Sequence, residues 1–307
     1  MRAPMATFLE RLQAGEVLVA DGATGTNLQQ RGLERGVSSE VWVMERPQEI
    51  VRLHQEFIAA GANIILTSTF GATRLRLEAG GDPSLAGRVA EVNRRAVELA
   101  KQAARGTDTL VAASMGPTGQ LLKPLGPLDE ADAEIVFGEQ ARALVEAGVD
   151  LLVVETQFDL SEARAALRAA RSASGGLPVV CSFSYDRGTR TMMGVRPSQM
   201  AAELEELADV LGINCGRSLD ENLKALQELR RSSSRPIWFK PNAGLPRVDE
   251  FGNSSYDVTP EMMGARVPEW LQAGAQVVGG CCGTSPQHLS EIVRAVGSWY
   301  ARTQTVG

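Results

Sequence analysis

The 307-residue sequence is short of the side chains that most often bind metals or cross-link a fold, with only two histidines and four cysteines. Both histidines, His54 and His288, fall inside helical patterns, where a satisfied or partly exposed ring is expected, so any metal site must rest on sulfur. There is no apolar run of about 18 residues, the length a membrane-spanning helix needs. The opening "MRAPMATFLERLQAGEV" is amphipathic and has neither the apolar stretch nor the small-residue cleavage site of a signal peptide. A soluble, cytoplasmic protein is expected. In that reducing setting no disulfide is expected among Cys181, Cys215, Cys281 and Cys282, and thiols at strand ends read as metal ligands or nucleophiles. Basic residues are scattered through a chain of net charge -6, which leaves no electrostatic footprint for nucleic acid. Neither "DGATGTN" (21–27) nor "GGCCGTS" (279–285) matches the G-x-G-x-x-G of dinucleotide sites.

The sequence does contain a repeated alternation. Eight short, continuously apolar runs occur at 17–21, 63–70, 109–116, 150–156, 178–184, 209–216, 236–244 and 276–283. Strands buried on both faces of a parallel sheet read this way. Between them lie segments with apolar residues at helical spacing, such as "PQEIVRLHQEFIAAGA". Three of these helices close on the same punctuation, at 59–63, 146–150 and 272–276, where glycine supplies a left-handed cap and a short turn into the next strand. The turns leaving the strands are longer and polar. Short turns at one end and elaborate loops at the other predict a single (β/α)8 TIM barrel over 1–307, with a frayed tail at 301–307. An open doubly wound sheet is the competing architecture.

The strand ends then become the place to look for chemistry. They carry Asp21 and Gly22, Thr67 to Thr69, Ser114, Glu155, Ser182 and Ser184, Asn214 and Cys215, Lys240, and the pair Cys281-Cys282. Cys215 closes the sixth strand and the cysteine pair the eighth, so in a barrel three thiols converge on one rim. Zinc suits three thiolates, since its catalytic sites keep three protein ligands and an open fourth position. Adjacent cysteines are otherwise small buried hydrophobes, as expected of Cys181 inside "VVCSF". Glu155, after "LLVV", is the expected partner for a substrate ammonium, and Asp21 either organises the first loop or contacts the same group. Backbone N–H groups around Gly22 to Thr26 and Ser68 to Phe70, with Gly22, Thr24, Ser68 and Thr69 the substrate-contact residues expected, are candidates for binding a carboxylate, and Asn214 is placed to orient its neighbouring thiol.

On "DGATGTNLQQRG", "TSTFGATRLRL", "GPTGQLLKPLG", "VVETQFDLSEA", "GINCG" and "VGGCCGTSPQHL", in this order, the chain resembles the homocysteine S-methyltransferases. That family includes the homocysteine-binding module of cobalamin-dependent methionine synthase, betaine-homocysteine methyltransferase and the S-methylmethionine-dependent enzymes. The resemblance implies zinc on Cys215, Cys281 and Cys282, homocysteine as methyl acceptor, Glu155 at its amino group, and methionine as product. The loops at 114–130 and 241–260 read as lids and look most like those of the methionine synthase module, which implies methylcobalamin as donor. No corrinoid-binding segment is visible in the sequence, so a corrinoid carrier protein acting in trans is expected. S-methylmethionine or betaine is the alternative donor. A non-catalytic structural zinc barrel is the alternative role, although such a site would want a fourth protein ligand.

Overall fold

A computed structural model describes residues 6–80, 82–248 and 254–304. Eight parallel strands form the barrel: β1 (Leu18–Val19), β2 (Ile64–Leu66), β3 (Leu110–Met115), β4 (Leu151–Gln157), β5 (Val179–Phe183), β6 (Val210–Cys215), β7 (Ile237–Pro241) and β10 (Ala275–Val278). Each pairs with its sequence neighbour from β2 to β7, β10 follows β7, and β1 pairs with β10 in the register Leu18 to Val277. A parallel bridge between Ala20 and Ile64 joins β1 to β2 and closes the ring, which rules out the open sheet. Two further short strands, β8 (Arg247–Val248) and β9 (Ser254–Ser255), form an antiparallel ladder in the loop after β7.

Alternation along the strands divides the core in two. Leu18, Ile64, Leu66, Ala112, Val153, Val180, Val210, Trp238 and Val277 fill the barrel interior, while Val19, Ile65, Val111, Leu152, Leu211 and Phe239 face the helical ring. Both faces are therefore apolar, which is why these runs show no polar alternation. The opening helix (Phe8–Gln13) is held by a capping box between Thr7 and Glu10. It places Phe8 and Leu12 in the interior cluster, so the amphipathic start of the chain plugs the barrel floor. At roughly 1.5–3 kcal/mol for each large apolar side chain removed from water, those two residues alone tie the helix down.

The three repeated glycines, Gly61, Gly148 and Gly274, adopt φ of 103°, 85° and 98°, the left-handed caps their position demanded. Two expectations need correction. Strands are shorter than the apolar runs, so Thr67 to Phe70 and Gly279 to Gly283 leave the ladder as turns, and the cysteine pair sits beyond β10 and not on it. The last helix runs from Pro286 to Gln304, so 301–304 are helical and not a frayed tail, while 305–307 lie outside the described residues. Among the described residues no helix is long and apolar enough to cross a membrane.

Candidate functional site

The site is built on two turns stitched together by a third. β6 ends on Cys215, whose φ of 59° is left-handed although it bears a side chain. Its carbonyl accepts from Asn222 Nδ2 at 2.7 Å and from the backbone N–H of Asn242 at 3.1 Å. From the neighbouring strand β7 onward, Pro241 O accepts from Cys281 N at 2.9 Å, and Ala243 N donates to Cys282 O at 2.9 Å. The end of β7 thus hydrogen-bonds both cysteine-bearing turns, and three sulfurs meet although 66 positions separate Cys215 from Cys281. Cys215 Sγ lies 3.1 Å from Cys281 Sγ, and all three sulfurs lie within 4.8 Å of one another. Among the described residues no other group of histidine, cysteine or carboxylate side chains converges in this way.

A second left-handed residue supports the same corner. Thr156, at the end of β4, has φ of 60°. Its N–H donates to Asn214 Oδ1 at 2.9 Å and its hydroxyl accepts from Asn214 Nδ2 at 2.7 Å, while Ser182 Oγ donates to the same Oδ1 at 2.6 Å. Asn214 Nδ2 also points at Cys215 Sγ, 3.4 Å away. Each left-handed non-glycine residue costs on the order of 1–3 kcal/mol and persists only where surrounding bonds over-determine it. Here the Asn214 amide does so.

The crowded thiols share charge unequally. Hydrogen bonding to Cys281 and Cys282, together with burial, pushes the Cys215 thiol well up, while the hydrogen bonds from Cys215 and Cys281 draw Cys282 down. Three sulfurs crowded this closely are a donor set for a soft cation.

A cavity of about 420 Å³ opens from these sulfurs toward the β1 and β2 loops. Asp21, Gly22, Thr24, Ser68, Glu155 and all three predicted cysteines line it. Glu155 is buried and donated to by Ser114 Oγ at 2.5 Å. Burial, reinforced by Cys281 and Asp21 against the pull of Lys240 and Ser114, raises its carboxyl to about 7. Asp21 is committed within the fold: Oδ1 receives Lys240 Nζ at 2.7 Å and Oδ2 receives Leu66 N–H at 2.8 Å. Burial alone would pull the Lys240 ammonium down, but Asp21 and Glu155 hold it above its ordinary value. Ser68 Oγ is buried in the cavity wall without a hydrogen-bond partner.

Two predicted residues do not reach the cavity. Thr69 turns its hydroxyl to Thr67 Oγ1 and Ser114 O, both at 2.7 Å, and braces the β2 turn. Asn214 lies behind the thiols, bonded as described. Cys181 is a buried core thiol, as expected. His288 is satisfied by Ser285 and Val258 O, whereas His54 departs from expectation: it is 1% exposed, its Nε2 has no partner, and burial draws it down to about 4. Lys240 and Ser114 stood at strand ends without an assigned role, and the charge of Lys240 inside "PIWFKP" was the available signal. Glu40 and Arg76 also line the cavity, but from helical segments where nothing in the pattern singles them out.

Of the loops at 114–130 and 241–260, Ser114 is the one residue among those described that lines the cavity. Tyr256 lays its ring over Gly283, leaving no room for a Cβ there, while 249–253 of the second loop lie outside the described residues.

Comparison with known proteins agrees with this geometry. A family profile described as homocysteine S-methyltransferase matches residues 18–296. Methionine synthase of Mycobacterium leprae is 31% identical over 308 aligned residues, covering 94% of this chain and 25% of the relative. That of Mycobacterium tuberculosis is 30% identical over 297, covering 91% and 24%. The chain thus spans about a quarter of the length of these curated relatives. The metallated form of the homocysteine methyltransferase MmuM from Escherichia coli superposes with a TM-score of 0.76 at 27% identity, covering 92% of this chain and 96% of that one. With the profile spanning both cysteine-bearing turns, the chain belongs to the homocysteine S-methyltransferase family.

Proposed function

We propose that this chain transfers a methyl group to the sulfur of homocysteine, giving methionine, with zinc held by Cys215, Cys281 and Cys282. The observation that carries this is the meeting of three sulfurs in the wall of a cavity that a buried carboxylate also lines. The donor set suits zinc. Sulfurs about 2.3 Å from one tetrahedral ion stand roughly 3.8 Å apart, and the separations here, from 3.1 Å to at most 4.8 Å, bracket that value. Bound there, zinc supplies a Lewis acid that keeps a substrate thiol, ordinarily of pKa about 8.5, in its nucleophilic thiolate form at neutral pH.

The remaining roles belong to the chain itself. Glu155 pairs the homocysteine ammonium, and an incoming cation offsets the burial that holds its carboxyl near 7. Asp21, fully engaged by Lys240 and Leu66 N–H, organises the first loop, and the 22–26 segment, which lines the cavity, is assigned the substrate carboxylate, with the Ala23 N–H already committed to Thr284. Asn214 fixes the direction of the Cys215 thiol. A structural zinc site would want a fourth protein ligand, and only three groups converge among the described residues, so the open corner favours catalysis. Three free thiols suit a reducing cytoplasm.

For the donor, the loop sequences at 114–130 and 241–260, which resemble those of the cobalamin-dependent methionine synthase module, favour methylcobalamin on a corrinoid carrier. A donor small enough for a cavity of about 420 Å³, such as S-methylmethionine or betaine, is the alternative and needs no carrier protein. Zinc-loaded protein given homocysteine with labelled methylcobalamin, S-methylmethionine or betaine decides among them by which label appears in methionine. On adding homocysteine, the zinc X-ray absorption edge should shift toward sulfur ligation. An unchanged edge with no label transferred from any donor leaves only the structural role. Cys282→Ala should lose metal and methyl transfer together while keeping its circular dichroism.

A further inference from the structure

The turn that carries Cys281 and Cys282 is hydrogen-bonded on one side to the end of β7 and on the other to the first loop, where a single buried residue makes most of the contacts. Thr284, two residues beyond Cys282, is 1% exposed. Its hydroxyl donates to Cys281 O at 2.7 Å and accepts from Ala23 N–H at 3.1 Å. Its carbonyl accepts from the same Ala23 N–H at 3.3 Å and from Asn27 Nδ2 at 2.8 Å, and Asn27 Nδ2 also donates to Ala23 O at 2.6 Å. Gly280 N–H on Asp21 O and Gly283 N–H on Thr26 Oγ1, both at 3.2 Å, complete the seam.

The two segments also leave room for this side chain. A Cβ on Gly22 would stand 2.7 Å from Thr284 Oγ1, and one on Gly280 would stand 2.5 Å from its Oγ1 and Cγ2. Thr284 is thus wedged between one glycine of each segment, and a shift of either turn drives the wedge against the other. Segments 22–26 and 280–282 both line the cavity, while Thr284 stands behind its wall. Its hydroxyl commits its hydrogen to the residue of one thiol and a lone pair to the loop opposite, and in a buried seam the loss of either bond leaves a polar group unmet.

We propose that Thr284 is a positioning residue that holds the 22–26 segment in register with the cysteine turn, so that the carboxylate of homocysteine is met at the distance from the three-thiol corner that its own thiol requires. The inference rests on homocysteine as methyl acceptor and on the 22–26 segment as its carboxylate site, as proposed above. Thiol and carboxylate are joined by a short alkyl chain, so one molecule satisfies both turns only if their separation is fixed in advance. The threonine seam fixes it, and couples the sulfur corner to the head-group end of the same ligand.

The test compares homocysteine with its decarboxylated analogue aminopropanethiol, which keeps the thiol and the amine, on zinc-loaded protein. Binding is read by calorimetry and zinc affinity by competition with a chelator. Thr284→Val keeps the shape of the side chain and removes the hydroxyl. It should raise the homocysteine Kd about tenfold, within the usual range of coupling between sites, and leave zinc affinity and the aminopropanethiol Kd unchanged. Thr284→Ser, which restores the hydroxyl, should recover most of the loss. Asn27→Ala opens the seam from the other side and should show the same selectivity, which keeps the test decisive if Thr284→Val does not fold. The proposal is overturned if wild type binds both thiols equally or if Thr284→Val leaves the homocysteine Kd unchanged. It is also overturned if zinc or aminopropanethiol weakens in parallel with homocysteine, because Thr284 then only supports the metal turn. Should wild type bind homocysteine but transfer no methyl from any donor, the proposed function falls, while the comparison of the two thiols still judges Thr284.

Discussion

Lys240 Nζ lies 2.7 Å from Asp21 Oδ1 across the mouth of the barrel, with the two side chains 3% and 2% exposed. Both ends are further engaged, Asp21 by Leu66 N–H and Lys240 by the face of Trp238, 5.7 Å from the ring centroid. Such a pair contributes little net stability as a whole but is costly to break by halves. Asp21→Asn or Lys240→Met alone should lower unfolding free energy by about 3–5 kcal/mol. The double variant should lose distinctly less than the sum. Urea titrations of the four proteins give the coupling, and simple additivity would remove the pair from the account.

Asn214→Ala removes the bonds to Thr156 N, Thr156 Oγ1 and Ser182 Oγ but leaves all three sulfurs in place. Loss of a group that orients a ligand typically costs about 10–100-fold in metal affinity. We expect a loss in that range in competition with a zinc chelator, with the fold retained by circular dichroism. Wild-type affinity would mean that the left-handed turn at Cys215 holds itself.

Glu155 gives a pH dependence whose sign follows from its carboxyl lying near 7 in the fold, above the ordinary 4.5. Between those values the native state holds a proton that the unfolded chain has released, so metal-free protein should lose stability as pH rises from about 4.5 to about 7, by up to about 3 kcal/mol. Below that window the contribution is fully present. Glu155→Gln should flatten this part of the profile. Chemical denaturation of both proteins at pH 5 and pH 8 checks it.

Gly212 shows how tightly β6 packs at its centre: a Cβ there would stand 2.7 Å from Trp238 O and 2.8 Å from Trp238 Cβ. Backbone cannot yield as a side-chain tip can. Gly212→Ala should cost roughly 1–3 kcal/mol through overpacking and displace the cysteine turn that follows. A lowered melting temperature with weakened zinc binding is the expected result, and a neutral outcome in both would contradict this register of β6 against β7.

The barrel was readable from the sequence because burial on both faces writes itself as unbroken apolar runs, and because the glycines at 61, 148 and 274 mark where helices stop. The three thiols were readable for a related reason: once Cys215 and Cys281-Cys282 are assigned to strand ends, closure brings them together. What escaped were residues whose placement depends on side-chain direction. Thr69 lies among predicted site residues yet turns into the fold, and Glu40 and Arg76 sit on short helices where only packing reveals that they face the cavity. Strand ends were overrun because Thr67 to Phe70 continue the β-prone composition after the ladder has stopped.

The split of the sulfurs between the turns after β6 and β10 also sets an order on biosynthesis. A nascent polypeptide that has emerged from the ribosome only through residue 240 carries one of the three thiols, and the backbone donors and acceptors of Pro241 and Ala243 that position the others are still to come. Capture of the proposed zinc would consequently be a late event, coupled to the final closure of the ring, and a folding intermediate stalled before that step would present isolated cysteines to oxidants.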